Sequence, residues 1–408
     1  MVQNTVKNGH AAGESRGTRL SVSLSGTNLA RAGDYNQRTV LQAIRLSGET
    51  TRVELARQTG LTAPTIANIT GRLAELGLVR QVGRLHGGRG QPALRLAVDP
   101  DGAFAIGLNI DRDHITMVTL DLAGEVRSRT SCEIAFAMPE DVLAYVEREI
   151  GGLIAAGRVD RRRVLGVGVA LPDDLGAIAL PHRPAGYERW SRLDIAGLLR
   201  DVLPWTIHVD NDAAAAALGE AQCVTGFDHP SFFYLLISAG LGGGPVIEGS
   251  YYRGATRRSG EIGLMPDPTS ATPGATVQDM VSLSAIGARL EAAGLSPDSD
   301  LTDEAGPAAS IVSQWIADAT RSLVSPLVAV NCLIDPGLVL IGGRLPMPLI
   351  ERLSASLNAA LAGLPLPTHA TVRPATMAGD APAIGAAIIP LLDQLLPSDA
   401  ILIQAGRS

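Results

Sequence analysis

The stretch that decides the architecture of the N-terminal part of the chain is residues 51–66, which read TRVELARQTGLTAPTI. Thr51 followed by Glu54 has the form of a capping box, in which two side chains satisfy free amides at a helix start. Gly60 supplies the left-handed residue that commonly ends a helix. A second helix start follows at once, and two helices joined by a short turn that contains glycine are typical of a helix-turn-helix.

The second helix of this pair has a clear start and two distinct faces. Thr62 can cap it, and Pro64 lies in its first turn, where a missing amide proton costs little. Apolar residues recur at helical spacing and are expected to be buried: Ile66, Ile69, Leu73 and Leu76. The opposite face carries Thr62, Ala63, Thr65, Asn68 and Arg72. Asn can bind adenine through two hydrogen bonds, and Ala or a Thr methyl can contact thymine, so these residues are candidates for base recognition. The alternative is an ordinary exposed helix face.

A β-hairpin is predicted directly after this helix. The segment from Leu78 to Arg84 and the alternating segment Ala93–Val98 both have strand patterns, and a glycine-rich turn joins them. Two strands after a recognition helix form a wing. Its tip offers Arg84, Arg89 and Gln91, which suit phosphates or a narrow minor groove. The alternative is an ordinary polar hairpin tip.

The charge distribution separates this module from the rest of the chain. Residues 31–98 contain ten arginines against four acidic residues, whereas the whole chain has a net charge of −7. A basic module on an acidic body is expected when one part of a protein binds nucleic acid. Double-stranded operator DNA is therefore the expected macromolecular partner.

Composition predicts a cytoplasmic protein without a membrane anchor. No stretch is long and apolar enough to span a bilayer, and the N-terminus lacks the apolar core of a signal peptide. The three cysteines, Cys132, Cys223 and Cys332, are far apart in sequence, which favours buried thiols in a reducing compartment. Residues 1–28 are rich in Ser, Gly, Thr and Asn and are predicted to be a disordered tail.

The remainder of the chain, from residue 99 on, alternates strand and helix patterns. Strands are predicted at 103–110, 115–120, 164–170, 207–212, 232–238 and 338–343, and helices at 139–157 and 213–221. After Ser238 the chain is expected to open into the glycine-rich segment 239–244. Strands that alternate with helices predict mixed α/β layers. Acids and glycines lie where strands end, which is where open α/β sheets bind ligands.

Several ordered motifs in this body resemble the ROK family of repressors, open reading frames and sugar kinases, and its transcriptional regulators in particular. The match covers residues from about 35 to the C-terminus and rests on the winged helix-turn-helix together with DNDAAAAALGE at 210–220, GLGGG at 240–244, YRGA at 252–255, SGEIG at 259–263, Asp335-Pro336 before IGG at 341–343, and Gly379-Asp380 before GAA at 385–387. Their order and number make the resemblance specific.

The resemblance implies an α/β fold: a winged helix-turn-helix followed by a two-lobed, actin-like body of the sugar-kinase type, with ligand in the cleft between the lobes. The expected division is a DNA-binding domain at 29–98, a first lobe at 99–213 and 377–408, and a second lobe at 214–376 that carries an oligomerisation surface. A homodimer or homotetramer is expected.

The chain departs from the kinases of this family at the nucleotide side. Where those kinases have a glycine-rich phosphate loop, residues 107–112 read GLNIDR, without the glycines that let a backbone approach phosphate. The adenosine-side loop is Ser238-Ala239-Gly240, Leu264 occupies the family's zinc histidine position, and the zinc cysteines are absent. No cofactor, no metal and no enzymatic activity are therefore expected.

The sugar side retains more of the family's pattern. Asp212 matches the catalytic base of the kinases, and Asn211 and Glu261 match residues that contact sugar hydroxyls. His182 and Gln278 are further matches to sugar-binding positions. The expected effector-binding set is His182, Asn211, Asp212, Glu261 and Gln278. Carboxylates and amides suit a polyol, since each hydroxyl both donates and accepts. Asp212 could also cap the alanine-rich helix after it, and Glu261 could be a solvated loop acid.

Three functions remain open from the sequence. The favoured one is a sugar-responsive DNA-binding regulator, a repressor of a carbohydrate-use operon. An active ROK-type sugar kinase with an appended DNA-binding module is the second. The third is a constitutive DNA binder whose body serves only oligomerisation.

Overall fold

The computed structural model describes residues 29–85, 93–173, 175–177, 183–222 and 228–397. The predicted tail at residues 1–28 lies outside them. The N-terminal domain comprises α1 (Leu29–Ser47), β1 (Thr50–Thr51), α2 (Arg52–Thr59), α3 (Ala63–Glu75), β2 (Val79–Leu85) and β3 (Ala93–Val98). β3 lies between β1 and β2 and is antiparallel to both. Helices α2 and α3 and the β2–β3 hairpin form the expected winged helix-turn-helix.

The helix ends in this domain follow the sequence signals, with one difference. The Thr51 hydroxyl accepts from the amide of Glu54 at 3.2 Å, Gly60 ends α2 at φ 70°, and Thr62 caps α3. The carboxylate of Glu54 does not complete a capping box and instead pairs with Arg57. Thr51 itself belongs to β1, where it pairs with Arg95.

Helix α3 packs through its apolar face as expected, except at its end. Ile66 and Leu73 are fully buried, and Ile69 is half-buried. The expectation that Leu76 is buried is wrong: its side chain is 52% exposed. The helix ends at Glu75, so Leu76 is the capping residue and leaves the apolar stripe.

The body contains two five-stranded sheets. The first comprises β4 (Phe104–Ile110), β5 (His114–Asp121), β6 (Val126–Glu133), β7 (Val164–Leu171) and β8 (Ile207–Asn211); the second comprises β9 (Phe232–Ile237), β10 (Leu241–Ile247), β11 (Ser250–Tyr251), β12 (Leu338–Gly343) and β13 (Thr371–Pro374). The helices of the body are α4 (Pro139–Ala156), α5 (Ile195–Leu199), α6 (Asp212–Ala221), α7 (Leu283–Ala292), α8 (Ala309–Ile334), α9 (Met347–Ala362) and α10 (Ala381–Gln394).

The two sheets share one topology. The first has the order β6-β5-β4-β7-β8, and the second has the order β11-β10-β9-β12-β13. In each, three antiparallel strands are followed by two parallel ones. The body is therefore built from two lobes of the same design, each with a hydrophobic core between its sheet and its outer helices.

Most of the glycine-rich segment that follows β9 belongs to a strand, β10, for which the sequence analysis made no strand prediction. β10 pairs antiparallel with β9 from Leu241 to Val246. Its glycines leave room for α6: a Cβ on Gly242 would lie 2.9 Å from the Cβ of Ala213, and one on Gly244 would lie 2.6 Å from the Cβ of Ala217. These glycines permit close helix–strand packing.

Helices α6 and α10 form the centre of the body. A Cβ on Gly385 of α10 would lie 1.7 Å from the carbonyl oxygen of Ala215, so the two helices are in backbone contact. On its other side α10 meets the first sheet, where a Cβ on Gly107 or on Gly168 would lie 1.8 Å from an α10 carbonyl. Helix α6 follows β8 of the first sheet and packs on β10 of the second, so the lobe boundary predicted at residues 213 and 214 falls within a helix that contacts both sheets. The proposed domain limits stay predictions.

The winged helix-turn-helix and the body share one hydrophobic core. Leu41 and Ile44 of α1 and Leu55 and Ile66 of the helix-turn-helix belong to the same buried cluster as the body residues Ala105, Val118, Leu120, Ile388 and Leu391. The DNA-binding domain is therefore packed against the first lobe and α10.

Candidate functional site

The end of β8 and the start of α6 place two of the expected effector-binding residues at the cleft. Asn211 is the N-cap of α6, and its Oδ1 accepts from the amide of Ala214 at 3.0 Å. Asp212 is the first helical residue and is 8% exposed, and its Oδ1 accepts from the amide of Ala213 at 2.7 Å. The expected alternative role of Asp212 as N-cap is taken by Asn211.

The protonation of Asp212 is set by its surroundings. Burial raises the pKa of Asp212 to about 7, and the negative charge of Asp111 acts in the same direction. The amide of Ala213 and the guanidinium of Arg112 oppose this effect without cancelling it. A carboxyl group that titrates near neutrality can both donate and accept a hydrogen bond.

Four of the five expected effector-binding residues line one cavity between the lobes. Asn211 and Asp212 contribute from the first lobe side, and Glu261 and Gln278 from the second, around a volume of about 60 Å³. His182 lies outside the described residues. That volume is small beside the roughly 300–1,000 Å³ of typical small-molecule sites.

Ion pairs join the lobes beside this cavity, and the sequence analysis did not predict them. Arg253, after β11, binds Asp210 of β8 through two parallel bonds of 2.7 and 2.6 Å. Arg258 lies 3.5 Å from Glu261 and 3.8 Å from Asp173. Asp210 and Arg253 belong to motifs quoted for the family, but nothing local indicates that they pair.

A second set of ion pairs closes the part of the cleft beside the β4–β5 turn. Arg344, after β12, donates to Asp113 and to Glu133, each at 2.7 Å. Arg129 of β6 donates to Asp380 at 2.7 Å. We call the Arg344–Asp113–Glu133 group the interlobe clasp.

Asp111, Asp113 and His114 are the residues of the described segments whose ligand atoms could surround a metal ion, within 4.8 Å of one another. Both oxygens of Asp113 are engaged, since it accepts from His114 Nδ1 at 2.6 Å and from Arg344 at 2.7 Å. The guanidinium thus supplies the positive charge at this position. The expectation that the protein binds no metal stays a prediction.

The expected base-contacting face of α3 is mostly accessible. Thr62, Ala63, Asn68 and Arg72 are exposed, and Thr65 is half-buried. The hydroxyls of Thr62 and Thr65 lie 2.8 Å apart and bond to each other, so both also stabilise the helix start. Arg84 on β2 is exposed as well. Arg89 and Gln91 fall outside the described residues.

Helix α1 connects the DNA-binding domain to the end of α6, a feature that the sequence analysis missed. Gln222 caps the C-terminus of α6; its side-chain Oε1 accepts from Gln42 Nε2 at 2.9 Å, and its carbonyl accepts from Arg45 at 3.2 Å. Arg38 of α1 donates to the carbonyl of Asp393, at the end of α10, at 2.8 Å. The side chains of one helix cannot reveal such partners, which lie 177 or more residues away in the sequence. We call the Gln42–Arg45–Gln222 contact the α1–α6 joint.

No helix among the residues that the structure describes is sufficiently long and apolar to cross a membrane.

Comparison with known proteins agrees with this architecture. The ROK family matches residues 105–391, and a winged helix-turn-helix DNA-binding family matches residues 34–80. An uncharacterized protein from Sinorhizobium fredii is 30% identical over 369 residues, which are 87% of this chain and 90% of that protein. The Bacillus subtilis xylose repressor is 23% identical over 234 residues, and the Escherichia coli regulator NagC is 25% identical over 245 residues. These two matches span 60% and 58% of the relatives and 56% and 58% of this chain.

Two solved structures show the fold. A ROK family transcriptional regulator described as a homologue of the Escherichia coli Mlc protein superposes with a TM-score of 0.64 at 21% identity, over 93% of this chain and all of that one. A ROK glucokinase from Streptomyces griseus, solved with glucose and AMPPNP, superposes with a TM-score of 0.55 at 20% identity, over 70% of this chain and 98% of that one. The expected sugar-kinase-type body is confirmed, and the chain belongs to the ROK family, with a winged helix-turn-helix ahead of its ROK body.

Proposed function

We propose that the protein is a sugar-responsive transcriptional repressor that acts in the cytoplasm on the operator of a carbohydrate-use operon. The observation that carries this proposal is the position of α6, which connects the cleft to the DNA-binding domain. Its N-cap, Asn211, and its first residue, Asp212, line the cleft, and its C-terminal cap, Gln222, bonds to the DNA-binding domain. The similarity to xylose repressors and to NagC supports the same conclusion.

The connection that α6 makes between the cleft and the DNA-binding domain is short and stiff. The helix has ten residues, so it is about 15 Å long. It is in backbone contact with α10, and α10 in turn accepts hydrogen bonds from Arg38 of α1. Close-packed helices transmit displacement as rigid bodies because their interfaces do not deform continuously. A shift at the N-terminus of α6 therefore reaches α1.

The small cavity supplies the reason for such a shift. A sugar needs more room than about 60 Å³, so it binds a form in which the lobes are further apart. Sugar then favours the open form over the closed one, which is a population shift. We propose that the open form presents the winged helix-turn-helix differently and changes its affinity for the operator.

We propose His182, Asn211, Asp212, Glu261 and Gln278 as the effector-binding residues. The operator is bound by Thr62, Ala63, Thr65, Asn68 and Arg72 of α3 and by Arg84, Arg89 and Gln91 of the wing. Four residues of the first set line the cavity, and the members of the second set that the structure describes are accessible or half-accessible.

We propose that the protein works as a homodimer or homotetramer, because a two-fold operator is bound by two helix-turn-helix units. An apolar groove of the second lobe is the candidate subunit interface for a second copy of the chain. It exposes 84% of Leu333, 57% of Tyr252 and 39% of Ile247. Large exposed apolar patches on water-facing surfaces commonly mark such interfaces. A Leu333→Glu variant is expected to sediment as a smaller species than the wild type.

The alternative function, a sugar kinase, has one observation in its favour. Burial raises the pKa of Asp212 to about 7, which suits a catalytic base. Against it, Arg112 and not glycine follows Asp111 in the turn after β4, and the interlobe clasp joins the lobes beside that turn. We propose that the protein is not an enzyme.

The α1–α6 joint provides the experiment that tests the proposed function. Gln42→Ala and Arg45→Ala together remove the side-chain contacts to Gln222 while leaving α3, the wing and the cleft unchanged. This double variant should bind operator and sugar separately with affinities near those of the wild type. The sugar should no longer change operator affinity, as measured by fluorescence anisotropy.

Gln58→Ala is the matched control, since Gln58 is an exposed residue of α2 that bonds within its own domain. It should keep the full response to sugar. If the Gln42→Ala, Arg45→Ala variant responds to sugar as the wild type does, the signal does not pass through the joint.

A further inference from the structure

Arg112 places a guanidinium in the effector cleft. It belongs to the turn between β4 and β5 of the first lobe, and it lines the cavity together with Asp212 and Glu261. Its side chain reaches across to the second lobe, where its Nη1 lies 3.2 Å from the position that a Cβ of Gly240 would occupy. Gln278 Oε1 lies 3.6 Å from the same position. The guanidinium is therefore next to the proposed sugar-binding groups.

This guanidinium has no ion-pair or side-chain hydrogen-bond partner among the residues that the structure describes, although Arg112 is only half-exposed. Asp111 accepts from the backbone amide of Arg112 at 2.7 Å and not from its side chain. The other arginines that join the lobes here, Arg253 and Arg344, are each bound to carboxylates at 2.6 to 2.7 Å. Partial burial of an unpaired charge is costly, so such a group is a candidate for ligand binding.

The acids of the cavity are already balanced in other ways. Glu261 and Asp173 both face Arg258, at 3.5 and 3.8 Å. Burial raises the pKa of Asp212 to about 7, so a proton neutralises much of its charge near neutral pH. Among the described residues, Arg112 is thus a charged group of the lining that forms no salt bridge and no side-chain hydrogen bond, although its charge acts on Asp212 from beyond salt-bridge distance. It is also a donor-only group, whereas carboxylates and amides can serve the sugar hydroxyls.

We infer that the effector is a sugar derivative with an anionic oxygen group, a phosphate or a carboxylate, which Arg112 binds through its guanidinium. The planar fork of arginine matches both groups and binds them through two parallel hydrogen bonds. This inference rests on the proposed function and specifies the chemical class of the effector. It makes Arg112 the residue that distinguishes charged from neutral sugars.

The test is isothermal titration of the full-length protein with matched sugars. Glucose is compared with glucose 6-phosphate and glucuronate, and N-acetylglucosamine with its 6-phosphate. For at least one family of ligands, an anionic member should bind the wild type at least tenfold more tightly than its neutral counterpart. Tighter binding of the 6-phosphate identifies a phosphate, and tighter binding of glucuronate identifies a carboxylate.

The Arg112→Gln variant should weaken the anionic ligand by roughly 10- to 100-fold, the range expected for loss of charged hydrogen bonds. Its affinity for the neutral counterpart should change by less than about threefold. Arg112→Lys retains the positive charge but cannot form two parallel hydrogen bonds, so its affinity for the anionic ligand should lie between those of the wild type and Arg112→Gln. Arg200→Gln, which removes an exposed arginine of the first lobe outside the cavity lining, should bind all ligands as the wild type does. Circular dichroism and operator binding verify that each variant is folded.

Two outcomes would overturn the inference, and they differ in what else they affect. If neutral sugars bind as tightly as the anionic ones, or if Arg112→Gln weakens both equally, Arg112 does not select charge, and the proposed function stands. If none of these sugars binds the wild type, the proposed function also fails, and a constitutive DNA binder takes its place.

Discussion

At the residue scale, the proposed ligand role of Asp212 comes with a cost in stability. Its pKa in the folded protein is about 7, against 3.8 for an ordinary aspartate. Between these values the folded state holds a proton that the unfolded state lacks. The stabilising effect of this proton is therefore complete below about pH 4 and is lost as the pH rises towards 7. A neutral side chain at this position would avoid that loss.

We therefore predict that Asp212→Asn is more stable than the wild type at pH 8, by about 1–3 kcal/mol, and that the difference shrinks at pH 4.5. Urea denaturation at both pH values measures it. Asp298→Asn, a change at an exposed acid, is the control and should leave the free energy of unfolding unchanged at both pH values. A difference that is the same at both pH values would show that Asp212 is charged in the folded protein throughout this range.

Asn68 provides the prediction for the DNA-binding side. It is exposed on α3, and an asparagine that binds adenine bidentately contributes about 1–3 kcal/mol to discrimination. Asn68→Ala should weaken binding to the cognate operator by this amount and leave binding to random DNA nearly unchanged, as measured by anisotropy at fixed salt. Equal losses on both DNAs would mean that Asn68 contacts only phosphate.

At the scale of elements, the sequence predicts what depends on local pattern. The caps at Gly60 and Thr62, the wing strands and most strands of the body follow from periodicity and turn residues. The strand at residues 241–247 could not be predicted in this way, because a run of glycines suggests a loop unless a helix is known to pack against it. The Arg253–Asp210 pair and the α1–α6 joint were also missed, because their partners are 43 and 180 residues apart and only the tertiary fold brings them together.

The contact between α6 and α10 gives a prediction at the same scale. An alanine at position 385 would drive a Cβ into the backbone of α6, where the nearest carbonyl oxygen is 1.7 Å away. Gly385→Ala should destabilise the protein by about 3 kcal/mol or more, because two packed helices must separate. Gly151→Ala, in the open interior of α4, should instead stabilise it by about 0.5–1 kcal/mol. Urea denaturation measures the free energy of unfolding of both variants. If Gly385→Ala leaves that free energy unchanged, the described contact between the two helices is contradicted.

At the scale of the whole molecule, the DNA-binding domain packs against the body through a shared hydrophobic core and is not joined to it only by a linker. The shared core around Leu41, Ile44 and Ile388 and the bonds from α1 to the ends of α6 and α10 connect it to both lobes. The body retains the two-lobed form of its kinase relatives. The charged turn at Asp111–Asp113 and the interlobe clasp lie where the sequence resemblance places the phosphate loop of those kinases.

We predict that this arrangement does not support phosphate transfer. In a coupled assay of ADP release with ATP and a panel of hexoses, turnover should stay well below about 1 per second, the lower end of the usual enzyme range. The panel should include the neutral and anionic sugars used for the Arg112 test. Turnover at or above that value with any hexose would make the kinase function the correct one.

We propose that a ligand in the cleft controls binding at the operator. The most direct measurement is operator affinity in the presence and absence of the sugar that titrates into the wild type, for the wild type and for Asp212→Ala. We predict that sugar changes the wild-type Kd for the operator, and that Asp212→Ala needs roughly tenfold more sugar or more for the same change, because a hydrogen bond to the sugar is lost. Its operator affinity without sugar should match that of the wild type. If the two proteins respond at the same sugar concentration, the cleft is not the sensor.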